Sequence, residues 1–231
     1  MTKNTISGIF LLITLNVAIS GCKNGKDTKQ VIGKEAKNHP PQIKHQTILI
    51  NTIKLNQSID KILQAFDLTK NDNSNSEYNL NLAYEEFSFP LSGNFKYNEL
   101  NLGKLNSLVV YYLKDSNSAF SYELELENNP NQELLIKELN KSLGKPAFYK
   151  KLENTKEHPI FLNENGEQET QHIIEESLKW NDSQNKSALF VIHKKNLTGN
   201  TNKLSLIVVY SESKMFDEWM KFRSLDMTFI K

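Results

Sequence analysis

The chain has 231 residues, 38% of them hydrophobic and 24% charged, with a formal net charge of +1 and a single cysteine. One cysteine excludes an internal disulfide framework and a cysteine-based metal site. Residues 23–46 hold six lysines against Asp27 and Glu35, so with Lys3 set aside residues 47–231 carry −4; such an acidic body lacks the basic face that nucleic acid requires.

The chain begins MTKNTISGIFLLITLNVAISGCK. Lys3 supplies a positive charge, and Ile6 to Ile19 form an apolar core too short to span a bilayer, the layout of a secretory signal over residues 1–21. The residues Ile19-Ser20-Gly21-Cys22 resemble the lipobox of bacterial lipoproteins. That resemblance implies cleavage before Cys22, a diacylglyceryl group on its sulfur, and a lipid-anchored protein of the cell envelope. Each buried acyl CH₂ contributes roughly 0.8 kcal/mol, so two or three chains anchor stably where one is marginal. Lys23 stands where the family's inner-membrane retention aspartate would be, which implies the outer membrane in a Gram-negative cell. With Cys22 acylated no thiol remains, and stability has to come from a core. Residues 22–46, with Gly25, Gly33 and Pro40-Pro41, read as a basic tether whose ends sit roughly 25–30 Å apart as a flexible chain. Its lysines favour anionic headgroups.

Folded sequence begins at 47–55 (TILINTIKL), a β-rich apolar run. Asn56-Gln57-Ser58 offers helix caps, and Ile59, Ile62, Leu63 and Phe66 recur at helical spacing. A polar loop over 67–77 precedes strands over 78–89, 95–97, 105–113 and 119–127. In the last of these, Phe120, Tyr122, Leu124 and Leu126 alternate with Ser121, Glu123, Glu125 and Glu127, so one face is buried and the other wet. KDSNS (114–118) is the hairpin turn before it. Asn129-Pro130 predicts a helix start, with Asn129 as cap, Pro130 first in the helix and Gln132 in the capping-box position. Leu135, Leu139 and Leu143 keep its apolar face, and Gly144 with Pro146 ends it. A strand over 147–152, a polar irregular stretch over 153–171, strands over 173–180, 188–194 and 203–210, a helix over 212–222 and a short strand over 227–230 complete the chain.

These elements predict an α+β fold of antiparallel sheet with about three helices, as two similar halves over 47–128 and 129–231 or one sheet built from both. In the second half, a helix ending in Leu143-Gly144-Lys145-Pro146 is followed by a meander with Trp180 late in a strand. This half looks like the small envelope domains of the outer-membrane-assembly and β-lactamase-inhibitor type. The resemblance implies a module that binds protein partners, and it assigns no site residue.

Motifs of catalysis are missing. His39, His45, His158, His172 and His193 never pair at the i, i+4 spacing of a helical zinc site, and neither a G-x-S-x-G elbow nor a phosphate-binding glycine loop occurs. NDNSNSE (71–77) and NENGE (163–167) alternate oxygen side chains as calcium loops do, but neither has the twelve-residue spacing, and both read as solvated loops. The pairs Glu85-Glu86 and Glu175-Glu176 fall on strands, where neighbours face opposite ways. The row Glu123, Glu125, Glu127 is met by lysines of a neighbouring strand or forms an acidic docking face. Tyr111, Tyr112, Phe120, Tyr122, Phe148, Tyr149, Trp180, Phe216 and Trp219 divide between core and any exposed platform for a partner or glycan. The sequence therefore predicts no enzyme, cofactor or metal. It predicts an envelope protein, anchored through Cys22, that docks a protein partner by a sheet face or by 153–171. The alternative is a solute- or glycan-binding lipoprotein with a concave, aromatic-lined pocket.

Overall fold

The computed structural model describes residues 47–74, 82–162, 166 and 168–229. The signal segment, lipobox and tether, residues 75–77 of the 71–77 loop, most of the 163–167 loop, and residues 230–231 lie outside the described residues.

Ten strands are described: β1 (Thr47–Leu49), β2 (Tyr84–Ser88), β3 (Asn94–Tyr97), β4 (Leu100–Gly103), β5 (Ser107–Leu113), β6 (Ala119–Glu127), β7 (Phe148–Leu162), β8 (Gln168–Asp182), β9 (Ser187–Asn196) and β10 (Thr201–Tyr210). Seven of them form one antiparallel sheet in the order β2-β5-β6-β10-β9-β8-β7. The pairing of β6 with β10 joins strands from before and after residue 129 into that sheet. The remaining three form a small sheet, β1-β3-β4, in which β1 runs parallel to β3. Antiparallel sheet dominates the fold. The helices are short: α1 (Ile59–Gln64), α2 (Gln132–Leu143), α3 (Phe216–Phe222) and α4 (Leu225–Phe229).

The side-chain period of two decides the layers. Leu124 and Leu126 of β6, Leu204, Leu206 and Val208 of β10, and Leu189 and Val191 of β9 share a core with Leu135 and Leu139 of α2, with Ile59, Ile62 and Leu63 of α1, and with Phe95 and Leu102 of the small sheet. On the opposite face Phe120, Phe190, Ile207 and Val209 pack with Trp219, Met220, Leu225 and Phe229 of α3 and α4. Each strand that alternates two apolar sets is thus buried on both faces where the C-terminal helices lie.

Several local expectations are corrected. The run 47–55 stays extended only through Leu49, because Thr52 Oγ1 donates to the Leu49 carbonyl (2.7 Å) and closes a 3₁₀ turn over Ile50–Thr52. The Asn-rich segment β4 was not anticipated; Asn98, at φ 51°, turns β3 back into it. The second helix starts at Gln132 and not at Pro130. Asn129 uses its amide to donate to the carbonyls of Leu102 (2.6 Å) and Lys104 (3.0 Å), and Gln132 donates to Leu126 and Asn202 instead of closing a capping box.

The irregular stretch expected over 153–171 is instead a ribbon: β7 and β8 continue pairing through Asn154↔Ile173, Thr155↔His172 and Glu157↔Thr170, with a register shift between Glu157 and Leu162. β9 leaves β8 at Ile173, so beyond it the pair has no third strand among the described residues. Two strands alone need no apolar alternation to stay paired, and periodicity cannot reveal them. Residues 225–229 are helical and not a strand. Leu225 and Phe229 stand four apart and are both buried, the helical spacing of one apolar face.

Candidate functional site

The ends of α2 and of β8 are joined by a side chain. Gly144 closes α2 at φ +82°, and its carbonyl accepts the indole N–H of buried Trp180 at 3.0 Å. This fixes the helix end beside the β8–β9 turn, residues 181–187. Together with the segment 51–56 between the small sheet and α1, they enclose a cleft of about 680 Å³. Its volume falls within the roughly 300–1,000 Å³ typical of small-ligand sites.

Hydrogen bonds fix the walls. Asp182 accepts from the amides of Gln184 and Asn185 (both 3.0 Å) and from the Asn185 side chain (2.6 Å), which shapes the turn. Lys186, at φ 51°, pairs with Glu212 at 3.0 Å. Glu212 also accepts from the Tyr210 hydroxyl (2.8 Å), to which Asn56 donates in turn (3.2 Å). On the far side Asn51 accepts from the Asn98 amide at 2.8 Å, and Asn98 donates to Glu138 at 3.0 Å. The rim is preorganised by its own amides and carboxylates.

The floor is different. Leu189 and Val208 supply apolar surface, and Tyr97, Tyr122 and Ser187 bring hydroxyls. Burial pushes the Tyr97 phenol up to about 12, with Asp182 and Glu138 adding to it and a hydrogen bond with the Ser142 hydroxyl opposing it. Burial likewise holds Tyr122 well above the ordinary phenol range, with Tyr97 and Asp182 adding. Both keep their hydrogens at any physiological pH. Only 4% of Tyr122 is exposed, and its hydroxyl makes no hydrogen bond to any described residue. It is not one of the sealed polar atoms, so it opens onto the cleft.

The residues singled out in the sequence lie elsewhere. Glu85 accepts from Tyr112 (2.7 Å), while Glu175 pairs with Lys194 (2.9 Å) and Glu176 accepts from Tyr149 (2.9 Å). Two of the three glutamates of the row are met by cations, one by a lysine and one by an arginine. Lys203 of β10 meets Glu125 at 2.6 Å, Arg223 at the end of α3 binds Glu123, and Glu127 accepts from Asn106. Glu123 and Glu125 border a second depression of about 360 Å³ on the opposite sheet face, whose lining also includes Ser107 and Ser205. His172 contacts Glu153 at 2.8 Å, and His193 is buried against Asn202. Cys22, His39 and His45 lie outside the described residues, as does the side chain of His158. Among the described residues no three His, Cys, Asp or Glu side chains converge as metal ligands would. Of the nine aromatics, Tyr111, Tyr112, Phe120, Tyr122, Trp180 and Trp219 are buried and Tyr149 is 55% exposed.

The sequence reading missed Tyr97, Ser187 and Asp182 and took Tyr122 as core. One signal was present. Tyr122 shares the buried register of Leu124 and Leu126, so its hydroxyl had to reach either a partner or a cavity. Neither a protein-family model, a curated protein nor a solved structure matches this chain.

Proposed function

We propose that the chain is a lipid-anchored protein of the cell envelope whose α+β body binds a small polar ligand in this cleft without transforming it. The observation that carries the reading is the Tyr122 hydroxyl, which opens onto the cleft, keeps its hydrogen and makes no hydrogen bond to any described residue. A ligand oxygen that takes the place of water there gains a hydrogen bond worth about 0.5–1.5 kcal/mol. Binding without chemistry follows from the neighbouring groups: the oxygens of Asp182 are taken by its own turn, and Lys186 is held by Glu212. Among the described residues of the lining no acid–base pair faces the floor. Anchoring rests on the lipobox, with Cys22 as the acylated residue and the outer membrane as the destination in a Gram-negative cell.

Two experiments test this. Cys22→Ala moves the protein from the membrane fraction to the soluble one; a variant that stays with the membrane contradicts the anchor. Hydrogen exchange of the full chain, with and without a small-molecule extract of the envelope, shows added protection over 51–56 and 181–187. Unchanged exchange there contradicts the cleft.

A second reading, docking of an envelope protein partner, is favoured by the β7–β8 ribbon. Beyond Ile173 its backbone edges pair with no described strand, and a free edge is a template for strand addition. A stoichiometric crosslinked protein recovered with a C-terminally tagged chain, and lost in Cys22→Ala, supports that reading; its absence removes it.

A further inference from the structure

Resting on the cleft reading above, we infer that the ligand is an uncharged polyhydroxylated molecule, a neutral saccharide of two or three units. The first argument is charge. Lys186 is held by Glu212, and Asp182 takes three neutral donors of its turn while its negative charge still acts on Tyr97 and Tyr122. Lys54 stands exposed at the mouth. An anion carried to the floor would lose its water and face the like charge of Asp182, and a cation would find that carboxylate already holding its turn, so either is costly. Amino acids, short peptides and phosphate esters are poorly served by such a floor.

The second argument is the kind of hydrogen bond on offer. The hydroxyls of Tyr97, Tyr122 and Ser187 each donate and accept, and burial of the two phenols keeps both abilities intact. The group that complements a hydroxyl in both roles is another hydroxyl. Between them Leu189 and Val208 present apolar surface, which suits the C–H faces of a sugar ring. Amides at the rim, from Asn51, Asn56 and Asn98, are fixed by partners and leave their remaining lone pairs and hydrogens for outer hydroxyls. Specificity concentrates on Tyr122, because a floor built to bond a hydroxyl rejects an analogue that lacks one.

The test uses the full chain in a detergent without a sugar headgroup, with saturation-transfer NMR reading binding. The probes are maltotriose, cellotriose and chitotriose, set beside glycylglycine and adenosine monophosphate. Two variants are compared with the parent. Tyr122→Phe removes one oxygen and keeps the ring that packs the core, and Ser183→Trp fills the mouth from an exposed turn position. Both are checked for an unchanged melting transition. The expected result is saturation of at least one trisaccharide, about tenfold weaker in Tyr122→Phe and absent in Ser183→Trp. Saturation of the dipeptide or the nucleotide alone, abolished by Ser183→Trp, would overturn the saccharide class while leaving the cleft as the binding site. Signals indifferent to both variants, or none from any probe, would overturn the class and the cleft reading together.

Discussion

His193 is a residue whose charge state is fixed by its neighbours. Its Nε2 lies 2.7 Å from the Asn202 side-chain oxygen, which places the hydrogen on Nε2, and buried Nδ1 has no hydrogen-bond partner. Burial lowers its pKa, and Lys195 lowers it further, against opposing effects of the Asn202 bond, Glu176 and Glu133. The folded protein therefore binds fewer protons here than the unfolded chain, so stability falls as pH drops through the ordinary imidazole range near 6.5. Urea unfolding is expected to show a lower midpoint at pH 5 than at pH 7, and His193→Gln to remove most of that difference. An undiminished difference in the variant would place its origin elsewhere. Asparagine also acts at this scale. Asn56, Asn98, Asn117, Asn128 and Asn200 all adopt positive φ at turns, a conformation this side chain tolerates better than most. An asparagine-rich composition conveys this only where flanking strands are already legible, as with KDSNS.

At the scale of elements, α3 is fastened to the sheet by Arg223. The guanidinium Nε donates to Glu123 at 2.6 Å and lies over the rings of Tyr111, Trp219 and Phe222 at 5.2–5.7 Å. Burial pushes the Glu123 carboxyl up, an effect that Arg223 opposes. Removing the arginine strands that carboxylate in a part-buried place, so Arg223→Met is expected to cost about 3 kcal/mol. The double variant Glu123→Leu with Arg223→Met is expected to recover most of it, since the desolvated charge goes as well. Urea unfolding at constant m-value measures both; a double variant no more stable than Arg223→Met would deny the ion pair this role. The sequence displayed the wet glutamate face of β6 but not its partner, because an arginine 100 residues away carries no periodic signal. Similarly, α2 was legible through Leu135 and Leu139, while its start was not. Asn129 does accept locally, its Oδ1 taking the Asn131 amide at 2.8 Å, while its Nδ2 and the Gln132 Nε2 are drawn to tertiary acceptors on Leu102, Leu126 and Asn202.

At the scale of the molecule, the strands were readable wherever one face is buried and the other wet, as in β6, and less so where burial is on both faces or neither. The β7–β8 ribbon escaped for that reason, while β4 (LNLG) alternates but is only four residues long. The order β2-β5-β6-β10-β9-β8-β7 was out of reach of local pattern, since β6 and β10 meet across more than 70 residues. The cleft depends on that order. It brings Tyr122 of β6 and Val208 of β10 beneath the β8–β9 turn, with Gly144 and Trp180 holding α2 as the third wall. Its residues come from six separate stretches of chain, none of which looks functional alone. The most direct measurement of whether this convergence is the working site is backbone-amide NMR mapping on the full chain, titrated with a mixture of maltotriose, cellotriose and chitotriose. The account predicts shifts gathered at 51–56, 142–143 and 181–187. Shifts confined to the β7–β8 ribbon or to the opposite face around Glu125 and Lys203, or no shifts at all, would contradict it.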